Sequence, residues 1–356
     1  MTVPLGQYPD PTHVVAHLSD PHLLAAGQLQ YGVVDPEAGL VAALERLGRV
    51  DPPPQVLVFT GDLADKAEPE AYARLRELVE PVAASMGPEG AEVVWTMGNH
   101  DEREPYARGL FGPDADPSAP QDRVHEVAGL RIVALDTTVP GYHHGEVTPE
   151  QLTWLADVLA EPAPHGTILA MHHPPIPVPM LPPAQIIELD DQQPLAEVLA
   201  GTDVRAILGG HFHFTSHSLF AGIPVSVASA TCYASDLTPA DRYLAAADGH
   251  QAVNMVHVYD DRVVHTVVPV TDAPEIDGYP LSVAPQVQAL TPEDRRELLS
   301  KKGVDLGALV RSLGNKPASK TAARKELPEF ASDGLSVLKS YLDAPVSVQA
   351  SGKGKA

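Results

Sequence analysis

The strongest constraint on this chain is its alternation of short apolar runs with longer amphipathic ones. Residues 13–19, 55–60, 92–97, 130–136, 167–172 and 204–209 are rich in Val, Ile and Leu and bounded by turn residues, the pattern of short strands. Between them, residues 36–48, 69–85, 149–160 and 193–200 have helical spacing. Pro opens the first three of these helices, at the position where its missing N–H costs nothing. Thr148 and Gln151 have the spacing of a capping box. From about residue 219 to 270 the pattern turns mostly to β, with strands expected at 223–228, 253–259 and 262–269 and a hairpin turn at Asp260-Asp261. Alternating β and α units followed by a β-rich stretch predict an α/β fold of stacked sheets flanked by helices.

Five polar motifs follow the strand candidates in one order: Asp20-Pro21-His22, Gly61-Asp62, Gly98-Asn99-His100-Asp101, His172-His173-Pro174 and Gly210-His211-Phe212-His213. Strand ends are where α/β folds place their sites. Asp20, His22, Asp62, Asn99, His172, His211 and His213 supply carboxylate, imidazole and amide donors, the set two adjacent divalent metal ions need if one carboxylate bridges them. Asp62 is the candidate bridge, because Gly61 lets the backbone turn sharply and aims the carboxylate over the sheet edge. Asn99 offers a neutral amide oxygen. His100 cannot easily bind the same metal from the same turn, so it is read as a proton donor or transition-state stabiliser, with Asp101 expected to hold its imidazole. His172 ends an apolar run as a ligand should. His173 faces the other way by strand alternation and is read as a pocket or structural residue. His211 and His213, alternate residues of an extended segment, can each reach one of two adjacent metals. No thiolate enters the set, which suits Fe, Mn, Zn or Co.

The other histidines get plainer readings. His143 and His144 lie in a Gly/Pro loop and are expected exposed or at a pocket rim. His17 is a core residue or a support behind the ligands. His13, His125, His165, His217, His250, His257 and His265 are ordinary strand and loop residues. Cys232 is the only cysteine; it forms no intrachain disulfide, reads as a small buried residue and fits a reducing cytoplasm.

At 356 residues, 44% hydrophobic and 20% charged, the chain is expected to be a soluble globular protein of one large or two ordinary domains. No 18-residue apolar run or secretory leader is evident. A net charge of −23 disfavours long nucleic acid and anionic membranes. A small phosphate ligand is different, because metal ions dominate the field inside their site.

Past residue 271 the character changes. Residues 270–288 are Pro-rich and irregular, 291–313 suggest one or two amphipathic helices, 315–323 a linker, 327–342 a further helix and 351–356 a disordered tail. Residues 315–356 hold seven Lys/Arg against four Asp/Glu, a candidate anchor for an acidic partner or a cap on a subunit interface. The expected domains are therefore a catalytic domain at 11–270 and a C-terminal extension at 271–356.

At its motifs the chain resembles the calcineurin-like metallophosphoesterase superfamily, and within it the class III cyclic nucleotide phosphodiesterases of the actinobacterial type. The resemblance covers about residues 11–270, including Met171-His172-His173-Pro174-Pro175-Ile176, Gly209-Gly210-His211-Phe212-His213 and the more specific block from Gly222 to Tyr233. It implies a four-layer αββα sandwich, usually dimeric. Asp20, His22, Asp62 and His213 would bind one metal, and Asp62, Asn99, His172 and His211 the other, with His100 as the catalytic histidine. His22, Asp62, Asn99, His100 and His213 would also contact substrate. The implied reaction is hydrolysis of 3′,5′-cyclic nucleotides, above all cAMP to AMP, by a metal-bound hydroxide with His100 assisting. The metal pair would be divalent or Fe(III)/divalent. The runner-up is a broader phosphodiesterase for 2′,3′-cyclic nucleotides or glycerophosphodiesters, tuned by loops 139–147 and 176–188. A metal-stabilised binding scaffold, and a dual role in which the tail makes peripheral contact with the cell envelope, are the rivals from other classes.

Overall fold

The computed structural model describes residues 6–276, 278 and 284–302. These fall into two compact units, of which Pro11–Thr271 is the larger. That unit contains two mixed sheets. The first has the strand order β13-β12-β1-β2-β3 and the second β4-β5-β6-β7-β9-β8, where β1 is His13–Leu18, β2 Val56–Thr60, β3 Glu92–Thr96, β4 Arg123–Val127, β5 Leu130–Leu135, β6 Thr167–Met171, β7 Val204–Gly209, β8 Ser216–Phe220 and β9 Ile223–Val227. Two-residue strands β10 (Ala234–Ser235) and β11 (Ala246–Ala247) pair with each other, and β12 (Ala252–Val258) and β13 (Val263–Pro269) complete the first sheet. β1, β2 and β3 run parallel, as do β5, β6, β7 and β9. The parallel strands bring several site motifs to one end.

Strand alternation builds the layers. Val15, Val56, Val58, Ile132, Ala134, Ile168 and Leu208 meet in a core between the sheets. Their neighbours Ala16, Leu18, Leu57 and Phe59 face outward onto α1 (Pro36–Leu47), α2 (Pro69–Ser85) and α3 (Arg103–Phe111). On the other side Val133, Leu135, Leu169 and Ile207 pack on α4 (Pro149–Leu159) and α5 (Gln192–Leu199). The result is the expected αββα sandwich.

Most elements match the sequence reading to within a residue. In the larger unit α3, the edge strands β4 and β8, the two-residue strands β10 and β11 and a 3₁₀ turn at Pro182–Ile187 were not anticipated. The smaller unit contains short helices α6 (Ala284–Gln288) and α7 (Pro292–Arg295) and a π-helical turn, Arg296–Ser300. The helix therefore begins at Thr291 as expected, and a helical turn lies inside the stretch read as irregular. The linker, the 327–342 helix and the tail lie outside the described residues. No helix among the described residues is long and apolar enough to cross a membrane.

The capping box forms as its spacing suggests: Gln151 N donates to Thr148 Oγ1 at 3.3 Å and Thr148 N to Gln151 Oε1 at 3.1 Å. Gln151 also donates to Asp122 and to the Asp136 carbonyl, tying α4 to the end of β5. Thr148→Ala is expected to cost about 1 kcal/mol and lower Tm by about 2–4 °C in a thermal melt.

Candidate active site

The ends of β1, β2, β3, β6 and β7 bring all seven candidate ligands into one cluster. Asp20, His22, Asp62 and His213 form a four-donor group and are all buried. His22 Nε2 lies 3.1 Å from His213 Nε2 and 3.3 Å from Asp62 Oδ2, and His213 Nε2 lies 3.4 Å from Asp20 Oδ1. A second group adjoins it. His172 Nε2 lies 2.9 Å from Asn99 Oδ1, 3.2 Å from His211 Nδ1 and 3.4 Å from Asp62 Oδ2. One carboxylate oxygen, Asp62 Oδ2, is thus shared by both groups. The other, Oδ1, accepts a 2.7 Å hydrogen bond from His100 N.

Each of the four candidate ligand imidazoles is anchored through its outward nitrogen. His22 Nδ1 contacts Asp65 Oδ1 at 3.1 Å, His172 Nδ1 the Thr60 carbonyl at 2.7 Å, His213 Nδ1 the Tyr233 carbonyl at 3.0 Å and His211 Nε2 the Ile187 carbonyl at 2.9 Å. This outer anchoring fixes the tautomer and leaves an inward lone pair on each ring, as in metal sites. Lone pairs facing each other near 3 Å in a buried site need a proton or a cation between them. These residues therefore fit a pair of divalent ions, and the donor set of imidazole, carboxylate and amide suits borderline metals.

The electrostatics agree with that fit. Burial opposes charge on His22, yet Asp62, Asp65 and Asp20 together hold its imidazole well above the usual range. Burial likewise opposes charge on His172, but Asp62 and Asp20 raise it to about 9. The reciprocal effect overcomes burial to hold Asp20 at about 2, through His213 and His172, and Asp62 well below the ordinary carboxylate value, through His172 and His22. Without metal, protons on these histidines supply the positive charge that the carboxylates call for.

Backbone conformation aims the donors. Asp20, His22, Asp62, His211 and His213 have φ of 50°, 45°, 50°, 72° and 58°, a region that side-chain-bearing residues rarely occupy and that concentrates at functional sites. The strained turns are held by backbone bonds between neighbouring loops, including Asp20 N to Gly61 O and His22 N to Asp62 O. Gly61, at φ 92°, permits the turn before Asp62, and a Cβ there would fall 2.5 Å from His172 Nδ1. Gly98 lies so close beneath Asp62 that a Cβ would collide with its backbone nitrogen and carboxylate.

Asp101 does not hold the His100 imidazole, contrary to expectation. Its carboxylate is buried and accepts from Gly98 N, Leu63 N, Ala64 N and the Tyr72 hydroxyl at 2.8–3.1 Å, which ties the Asp62 loop to the Asn99–His100 loop. Burial, with the charge of Asp62, pushes Asp101 up to about 6, against the pull of these donors. His100 Nδ1 instead sits 2.9 Å from the Asp65 carbonyl. Asp65 was missed in the sequence; its signal was a second acid three residues after Asp62.

Other residues take the places open to them. His143 is exposed at the rim, where its Nδ1 meets Asn99 Nδ2 at 2.8 Å. His173 is buried beside His211 and contacts Thr137 Oγ1 and the His143 carbonyl. His17 is a buried support, with Nε2 on Thr60 Oγ1. Cys232 is buried with Sγ 3.9 Å from His213 Nδ1, a neighbour in space that its sequence neighbours did not suggest.

Two stacked sheets thus carry paired donor groups, able to hold metal ions, at their strand ends. The calcineurin-like phosphoesterase family matches residues 13–214, and the chain belongs to it. It is 54% identical over 264 residues to a cAMP/cGMP dual specificity phosphodiesterase of Mycobacterium tuberculosis, covering 74% of this chain and 81% of that one. It is 49% identical over 269 residues to a probable cyclic nucleotide phosphodiesterase of Rhodococcus erythropolis, covering 76% and 87%. Among solved structures, a purple acid phosphatase from yellow lupin (Lupinus luteus) superposes with a TM-score of 0.55 at 14% identity. That match covers 76% of this chain but about half, 53%, of the lupin chain, and it supports the fold alone.

Proposed function

We propose that this chain is a dinuclear-metal phosphodiesterase acting on 3′,5′-cyclic nucleotides, cAMP to AMP above all. Family membership and extensive identity to named diesterases support a phosphoric diester hydrolase. The observation that carries the dinuclear reading is the convergence of four outward-anchored imidazoles on both sides of Asp62 Oδ2. Asp20, His22, Asp62 and His213 would hold one ion, and Asp62, Asn99, His172 and His211 the other. When bound, such a pair neutralises phosphate charge and makes a strong nucleophile available at neutral pH.

The chain's own residues do the rest. His100 is partly exposed, at 34%, so it can meet a substrate at the site's open side. The Asp65 carbonyl anchors its Nδ1, which leaves Nε2 to assist the leaving ribose oxygen or to meet developing charge on phosphorus. His22, Asp62, Asn99 and His213 border the space where the phosphate would sit. The catalytic domain at 11–270 and a homodimer belong to the same proposal, supported by the resemblance; a cytoplasmic location is supported by the single cysteine, and peripheral envelope contact by the tail is the separate dual-role alternative.

His100→Ala tests the reading. Turnover of 3′,5′-cAMP should fall by about 10²–10³-fold, with metal content and Tm nearly unchanged. A binding scaffold would lose nothing, so unaltered turnover would contradict the proposal. Faster hydrolysis of 2′,3′-cAMP than of 3′,5′-cAMP by the wild type would favour the broader diesterase.

A further inference from the structure

One side of the site carries aromatic rings that the proposed chemistry leaves unused. The Tyr233 ring lies 4.5 Å from that of His213 and 6.2 Å from that of His22. Tyr31 meets Tyr233 edge to face at 5.5 Å, and their hydroxyls are 3.1 Å apart. With His22–His213 at 5.0 Å, His22–His100 at 4.7 Å and His100–His143 at 5.3 Å, the rings form a continuous arc from Tyr31 to His143.

Tyr31 is 75% exposed, and so is Val33, yet Tyr31 is not loosely held. Its backbone is left-handed at φ 50°, followed by Gly32 at 74°. Gln30, buried at 4%, donates to Asp65 Oδ1 at 3.0 Å, the same oxygen that anchors His22. Ala25 N donates to Glu68 at the other end of the loop. A large aromatic ring is thus fixed in solvent by a strained backbone and a buried link to the catalytic cluster. Strain of this kind persists only where the surroundings impose it, and it points to function rather than packing.

We propose that Tyr31, with Tyr233 beneath it, is the platform on which the planar base of the nucleotide stacks while the phosphate occupies the metal cluster. This rests on the phosphodiesterase reading and names the part of the substrate that the aromatic side recognises. Every base has a π-face, so such a platform discriminates base from no base and hardly separates adenine from guanine.

The test uses the Mn-loaded full chain with 3′,5′-cAMP, 3′,5′-cGMP and base-free ribose 3′,5′-cyclic phosphate. Tyr31 is chosen because truncating Tyr233 would also disturb His213. Wild type should prefer cAMP over the base-free diester by about tenfold or more in kcat/KM. Tyr31→Ala should cut that preference at least about fivefold, mostly through KM, with the cAMP to cGMP ratio barely moved. Tyr31→Phe, which keeps the ring, should retain most of the preference. Calorimetry supplies a readout without turnover: the advantage of AMP over ribose 5-phosphate in binding should shrink in parallel in Tyr31→Ala. An unchanged preference and AMP affinity in Tyr31→Ala would overturn the platform and leave the phosphodiesterase standing. Wild type that hydrolyses none of the three cyclic phosphates would overturn the reading of the site and the platform with it.

Discussion

Asp62→Asn is expected to lower turnover of 3′,5′-cAMP by about 10³-fold or more and metal content from two ions per chain to one at most. The substitution keeps the side chain's size, so the effect comes from charge and donor chemistry. Asp62 Oδ2 faces His22 at 3.3 Å and His172 at 3.4 Å, while Oδ1 accepts from His100 N. An asparagine cannot serve both directions. If its oxygen keeps the bond from His100 N, its NH₂ points into the ligand cluster and opposes cations. If it flips, the NH₂ opposes the His100 N–H. Elemental analysis alongside steady-state kinetics checks this, with circular dichroism to confirm the fold. Two bound ions and near-normal turnover would remove Asp62 as the bridge.

Asp101→Ala is expected to be the most destabilising single change at the site, by about 4 kcal/mol or more. It orphans three buried N–H groups and the Tyr72 hydroxyl at once, and each unsatisfied buried donor costs about 1–3 kcal/mol, without strict additivity. Turnover should fall as well, because the Asn99–His100 loop loses its tie to the Asp62 loop. The contrast with His100→Ala is diagnostic, since that change removes activity while sparing stability. Urea denaturation of both variants separates the roles, and equal stabilities would show that Asp101 does not hold the two loops together.

How much of this could be read in advance depended on whether neighbouring residues carried the signal. The Val/Ile/Leu runs bounded by Gly and Pro announced the parallel strands, and Thr148 with Gln151 announced the start of α4. α3 escaped because Arg103–Phe111 contains Pro105 and Gly109 and buries only Tyr106, Ala107 and Leu110. β4 escaped because it is an edge strand with no fully buried residue. Side-chain types at strand ends identified the seven residues that the fold brings together. Their left-handed backbones were not visible, because only the interlocking loops between strands impose them. Asp101 was assigned to its sequence neighbour His100, whereas its carboxylate turns to the β2 loop. Asp65, Gln30, Tyr31 and Tyr233 meet across up to about two hundred residues of chain, and no local pattern marks them.

The most direct test of the central claim is a manganese titration of metal-free wild type, with hydrolysis of 3′,5′-cAMP to AMP followed at each ratio of metal to chain. Turnover is expected to be absent without metal, to stay low while the first ion binds and to reach its plateau at two ions per chain. Full turnover in the metal-free protein, or none with two ions bound, would contradict a dinuclear cyclic-nucleotide phosphodiesterase.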